Sequence, residues 1–125
     1  MNNTNMTKGQ LEADISKALT QWEKEYLGRG PLQVKTDILR NLIIVQLKGI
    51  LTPAEKSVAT TASGISSVKS IRSELIESGS DQLKELITNL TGISTNSFHT
   101  DISTITGERI IIFTMEEQLE QKLNI

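Results

Sequence analysis

The stretch that decides the fold is Leu32-Gln-Val-Lys-Thr-Asp-Ile38, followed across Leu39-Arg40-Asn41 by Leu42-Ile-Ile-Val-Gln-Leu-Lys48. In the first segment apolar and polar residues alternate, the period of a strand with one face in a core and the other in water. The second is richer in β-branched residues, and its Ile43-Ile44-Val45 run predicts a central strand covered on both sides. So short a connection closes the pair as a β-hairpin. A second hairpin is predicted from Asn96 to Ser103 and Glu108 to Thr114, joined by Thr104-Ile-Thr-Gly107, whose glycine permits the positive φ of a tight turn. Its Ile110-Ile-Ile-Phe113 run again predicts a central strand.

Helical patterns surround the two hairpins. Thr7-Lys-Gly-Gln10 has the form of a capping box, and Leu11, Ile15, Ala18, Leu19, Trp22 and Tyr26 recur at spacings of three and four. Gly28 supplies a left-handed stop, so the first helix is predicted over about 7–27, with Trp22 and Tyr26 as packing residues. Thr52, Pro53 and Glu55 are an N-cap, a first-turn proline and a carboxylate that reaches back. They open a helical pattern that runs to about Glu77, crowded with serine and threonine and interrupted by Gly64. A glycine there implies a break or a close packing contact. Within this pattern Ala62, Ser66, Ser70 and Ser73 form a strip of small residues, read as a candidate homodimer seam. Lys69 and Arg72 read as solvated side chains. Leu83, Leu86, Ile87 and Leu90 predict a further helix closed by Gly92, and Met115, Leu119 and Leu123 the stripe of a short terminal one.

The order α-ββ-α-α-ββ-α predicts an α+β fold. A four-stranded, mostly antiparallel sheet comes from the two β-hairpins, with helices packed on one face. Residues 1–6 read as a disordered polar tail and 7–125 as a single domain. The strand order does not follow from the sequence.

Composition excludes several function classes. The 125 residues carry 13 Lys+Arg against 15 Asp+Glu, a net charge of -2, with no basic stripe to meet phosphates. One Trp, one Tyr and two Phe leave few platforms for stacking bases, so no nucleic-acid partner is expected. With no cysteine there is no thiolate ligand, thiol nucleophile or disulfide. The longest apolar run, Leu42 to Val45, falls far short of the ~20 residues of a membrane span, so no direct membrane insertion is expected. The N-terminal residues lack the basic and apolar regions of a signal peptide. The expected location is cytoplasmic, or peripheral to the inner face of the membrane through a partner.

Ser97-Phe-His99-Thr-Asp101 is the one constellation with catalytic residue types. Strand alternation puts His99 and Asp101 on the same face. No second histidine completes a metal site, and no nucleophile elbow accompanies the histidine, so no catalytic set, metal or cofactor is expected. Arg29 and Gly30, in Gly28-Arg-Gly-Pro31, follow a helix and enter a strand, the reverse of a phosphate loop. A helix stop accounts for them, with an exposed anion contact at Arg29 as the alternative.

Taken in order, Gly28-Arg-Gly-Pro31, Leu51-Thr-Pro-Ala-Glu55, Ser97-Phe-His-Thr-Asp101, Thr106-Gly-Glu108 and Phe113 resemble the MpsC family over about residues 8–116. The resemblance implies a bacterial accessory component of a sodium-translocating, membrane-potential-generating system, working beside integral membrane subunits, and brings no catalytic residues. The function expected is thus a non-catalytic accessory or regulatory protein, a homodimer. A cytosolic regulator that binds a small ligand or anion is the alternative, followed by a small metal-dependent enzyme using His99 and Asp101.

Overall fold

The computed structural model describes residues 6–123; apart from Met6, the expected polar tail lies outside them. Helix α1 spans Lys8–Leu27. Thr7 Oγ1 accepts from the Gln10 N–H and the Gln10 side chain accepts from the Thr7 N–H, the capping box expected, and Gly28 ends the helix at φ 83°. Its buried stripe is Leu11, Ile15, Leu19 and Trp22, extended by Glu23.

Strands β1 (Gln33–Leu39), β2 (Leu42–Lys48), β3 (Thr95–Ser103) and β4 (Glu108–Met115) form a four-stranded sheet in the order β1-β2-β4-β3, antiparallel throughout. The hairpins join through their second strands, so the two isoleucine-rich segments become the central pair. At the β1 edge the outward Ile38 N–H donates to Glu12 Oε2 of α1 at 2.9 Å, which blunts that edge against further pairing.

Between the hairpins lie α2 (Pro53–Val58), α3 (Ala62–Ser78) and α4 (Ser80–Thr91). The long helical pattern therefore runs as two helices, broken just before Gly64. Thr61 caps the restart, its Oγ1 accepting from the Gly64 N–H at 3.0 Å. A Cβ on Gly64 would lie 1.8 Å from the Val58 carbonyl oxygen, so the break and the close contact are one feature. A similar contact joins α3 to α4: a Cβ on Gly79 would stand 2.5 Å from Trp22 Cζ2. Trp22 is buried there and donates to Gln82 Oε1, with Tyr26 stacked on it at 4.9 Å but reaching the surface.

Met115, Leu119 and Leu123 are buried as expected, but the terminal helix is reduced to a 3-10 turn, Glu120–Lys122. Glu120 is committed to the first hairpin. Its Oε1 accepts from the Arg40 N–H and its own N–H donates to the Arg40 carbonyl, which clamps Arg40 at φ 56°.

Helices lie on the sheet face that carries Thr36, Ile38, Ile43, Val45, Leu47, Arg109, Ile111 and Phe113, all buried. Ser16 of α1 meets Thr36 there at 2.7 Å, and the Arg72 carbonyl of α3 accepts from Arg109. On the opposite face Leu42, Ile44, Ile110 and Ile112 are only half-buried. The expectation that β2 is covered on both sides is corrected accordingly. Within the chain its β-branched residues pack against their cross-strand neighbours and not under a second layer.

Candidate functional site

Strand β3 places its residues as alternation requires. Phe98 and Thr100 face the helices, Phe98 against Phe113 with ring centroids 5.6 Å apart, while Ser97, His99 and Asp101 share the open face. His99 is exposed, and its Nε2 lies 3.2 Å from Ser97 Oγ, which also bonds Thr114 Oγ1. Asp101 Oδ1 accepts from the Ile102 N–H at 2.8 Å and lies 3.5 Å from Lys69 Nζ. The Ile102 bond, helped by Lys69, holds this carboxyl below its ordinary pKa. Each side chain thus has its own partners, and among the described residues no group of three or more His, Asp or Glu is placed to hold a metal ion.

Beside β3 lies a cleft of about 410 Å³ lined by Glu77, Ser80, Lys84, Phe98, His99 and Thr100. Lys84, Glu77 and Ser80 bring an amine, a carboxylate and a hydroxyl to its rim, and His99 borders it from β3 while its imidazole lies on the open face beside Ser97. Arg29 and Gly30 are not part of it. They precede β1 at the opposite edge, three strand spacings or roughly 14 Å across the sheet. Arg29 is exposed, whereas Gly30 lies against Lys24, whose Cγ a Cβ there would meet at 2.9 Å. Ala62, Ser66, Ser70 and Ser73 are all exposed along α3.

A buried polar layer joins the helices to the sheet. Arg109, 2% exposed, donates to Thr100 Oγ1 at 2.9 Å and to the Arg72 carbonyl at 3.3 Å. Arg72 donates to both carboxylate oxygens of Glu55, at 2.7 and 2.6 Å, and to the Ile50 carbonyl at 2.9 Å. These bonds hold Glu55 down to about 2, against the opposing effect of burial. Glu23 completes the layer from α1 with an Oε2 that has no hydrogen-bond partner, and burial pushes its carboxyl up while Arg109 and Arg72 pull it down. Burial likewise lowers Arg109, with Glu23 opposing. Arg72 is thus a correction to the solvated reading of the Lys69–Arg72 pair. The signal was present in the phase: Arg72 falls four residues from both Val68 and Ile76, and Arg109 alternates with Ile111 and Phe113.

The open face is the largest arrangement that pattern reading missed. Strand register aligns it in rows: Leu39, Leu42, Thr114 and Ser97; then Asp37, Ile44, Ile112 and His99; then Lys35, Gln46, Ile110 and Asp101. Leu42, Ile44, Ile110 and Ile112 form an apolar centre on the two central strands, bordered by Gln46, Thr114, Lys48 and Glu108 along those strands and by Lys35, Asp37, His99 and Asp101 at the edges.

Comparison with known proteins places this architecture. The family model described as "Na+-translocating membrane potential-generating system (MpsC)" matches residues 7–117, from the cap of α1 to just beyond β4. YbcI of Bacillus subtilis (strain 168), an uncharacterized protein, is 56% identical over 117 residues, covering 94% of each chain. YrhF of the same organism, also uncharacterized, is 24% identical over 110 residues, 87% of this chain and 90% of that one. No solved structure gives a significant match. With the family match spanning every helix and strand from α1 to β4, the chain belongs to the MpsC family.

Proposed function

We propose that this protein is a non-catalytic, homodimeric accessory component of a cation-translocating, membrane-potential-generating system, bound to membrane-embedded subunits at their cytoplasmic face. The observation that carries the homodimeric part of the reading is the open sheet face, an apolar centre with a polar and charged border, the form of a protein-binding surface. The description of the family supports the choice of system. No helix of the described residues is long and apolar enough to cross a membrane, so on this reading ion passage belongs to other subunits. The test is twofold. Cells lacking the protein should show a reduced sodium-dependent membrane potential, restored by the full chain, and the tagged protein should co-purify an integral membrane transport subunit from detergent extracts. An unchanged potential together with no membrane subunit in the eluate overturns the reading.

The cleft beside β3 favours a second reading, a regulator that binds a small ligand or anion through Lys84 and Ser80, with His99 at its border. Thermal shift with inorganic phosphate and small carboxylates tests it: a ligand at 100 times its Kd adds about 2.7 kcal/mol. A shift that survives His99→Ala together with Lys84→Ala removes the cleft from consideration.

A further inference from the structure

We infer that the open face of the sheet is where a second copy of this chain docks, the two sheets packing face to face about a two-fold axis parallel to the strands. This rests on the homodimeric part of the proposed function and names its surface. That surface is not the small-residue strip of α3.

The argument is self-complementarity. A two-fold axis parallel to the strands, lying between the stacked sheets, keeps every row at its own level and exchanges the edges, so β1 of one copy lies over β3 of the other. Row by row, Lys35 then faces Asp101 of the second copy and Asp37 faces His99. In the centre Ile44 faces Ile112, and Gln46 faces Ile110. The next level, where Lys48 ends β2 and Glu108 begins β4, adds a second pair of opposite charges. A two-fold axis across the strands also opposes Lys35 to Asp37, but it sets Lys48 over Leu42 and Glu108 over Thr114, so the parallel axis fits better.

The groups involved are accessible to a second copy. Lys35, Asp37 and His99 are exposed, and the Asp101 side chain is 80% exposed despite its contact with Lys69. Four strands of seven or more residues present a footprint of roughly 19 Å by 23 Å. Counted on both copies and enlarged by side-chain relief, that reaches the ~1,000 Å² at which specific interfaces begin. The dimer is therefore of modest affinity and sensitive to salt.

The experiment is sedimentation velocity of the full chain, from nanomolar to high micromolar concentration, on five proteins, wild type, three variants of the open face and Ser70→Arg in α3. Wild type should dimerise. Lys35→Glu, a change at an exposed site that leaves the monomer folded by circular dichroism, should weaken the dimer roughly ten-fold or more, because symmetry creates the like-charge contact twice. Adding Asp101→Lys to Lys35→Glu should restore it to within about three-fold of wild type. Adding Asp37→Lys instead should not. A wild type that stays monomeric at every concentration overturns both this surface and the homodimeric part of the proposed function. A wild-type dimer that ignores Lys35→Glu but is lost with Ser70→Arg overturns the surface alone and leaves a dimer seamed through α3. Rescue by Asp37→Lys and not by Asp101→Lys overturns the axis.

Discussion

The two faces of the sheet distribute polarity against expectation, and β4 shows it within five residues. Arg109, Ile111 and Phe113 point into the helical layer, whereas Ile110 and Ile112 point away from it and stay half-buried. A guanidinium thus lies in the core while two isoleucines reach the surface. The guanidinium is tolerated because Thr100 and the Arg72 carbonyl accept from it and Glu23 lies near enough to oppose its charge. The isoleucines are tolerated because cross-strand neighbours cover part of each, and what remains exposed is contiguous across β2 and β4. The difference teaches that burial follows the side on which the helices land, and that residue type then records what each side must do.

Substitutions can break or sharpen this contrast. The largest effect is expected at Arg72→Ala, which strands the Glu55 carboxylate and the Ile50 carbonyl at the base of the covered layer. Urea denaturation should show a loss of about 3–5 kcal/mol. A loss below about 1 kcal/mol would mean that the polar layer does not hold the helices. Next comes a direct comparison of adjacent residues, at a concentration low enough to keep the chain monomeric. Ile111→Ala, on the covered face, should cost about 3 kcal/mol, and Ile112→Ala, on the open face, about 1 kcal/mol. Equal costs would mean that the open face is covered in the monomer. Gly64→Ala drives a methyl into the Val58 carbonyl and should cost about 2 kcal/mol in thermal unfolding.

The response to pH separates the two carboxylates of the covered layer. Glu55, held down to about 2, contributes stability that is complete above the ordinary glutamate range near 4.5 and is lost as pH falls through about 2. Arg72→Ala should flatten that acid limb. Glu23, pushed up by burial, acts with the opposite sign: its contribution is complete below the ordinary range and is lost as pH rises through its raised value. Glu23→Gln should therefore gain on wild type near neutral pH and lose that advantage in acid, read from unfolding midpoints across the pH range. The smallest effect belongs to the open face. Asp101→Asn weakens an exposed pair with Lys69 and should shift monomer stability by less than about 0.5 kcal/mol.

Much of the fold was legible because its signals are local. Thr7 with Gln10, and Thr52 with Pro53 and Glu55, cap the helices that their spacing announces. Gly28 and Gly92 end α1 and α4 in the left-handed conformation that they permit without strain. Alternation set His99 and Asp101 on one face, but it does not measure how far that face lies from Arg29. Helical spacing did put Arg72 in phase with Val68 and Ile76, but an arginine is read as solvated until its partners, remote in sequence, are brought to it.

By itself, then, the sequence determined the α+β class, two hairpins, the helix starts and stops, and which strands are central, because periods, caps and turns act over a few residues. Only the tertiary structure decided the strand order β1-β2-β4-β3, the charged layer of Glu23, Arg72 and Arg109 with Glu55, and the open face with its apolar centre. Those depend on contacts between residues tens of positions apart, where hydrogen-bond satisfaction and the choice of covered face are settled jointly by all the elements at once.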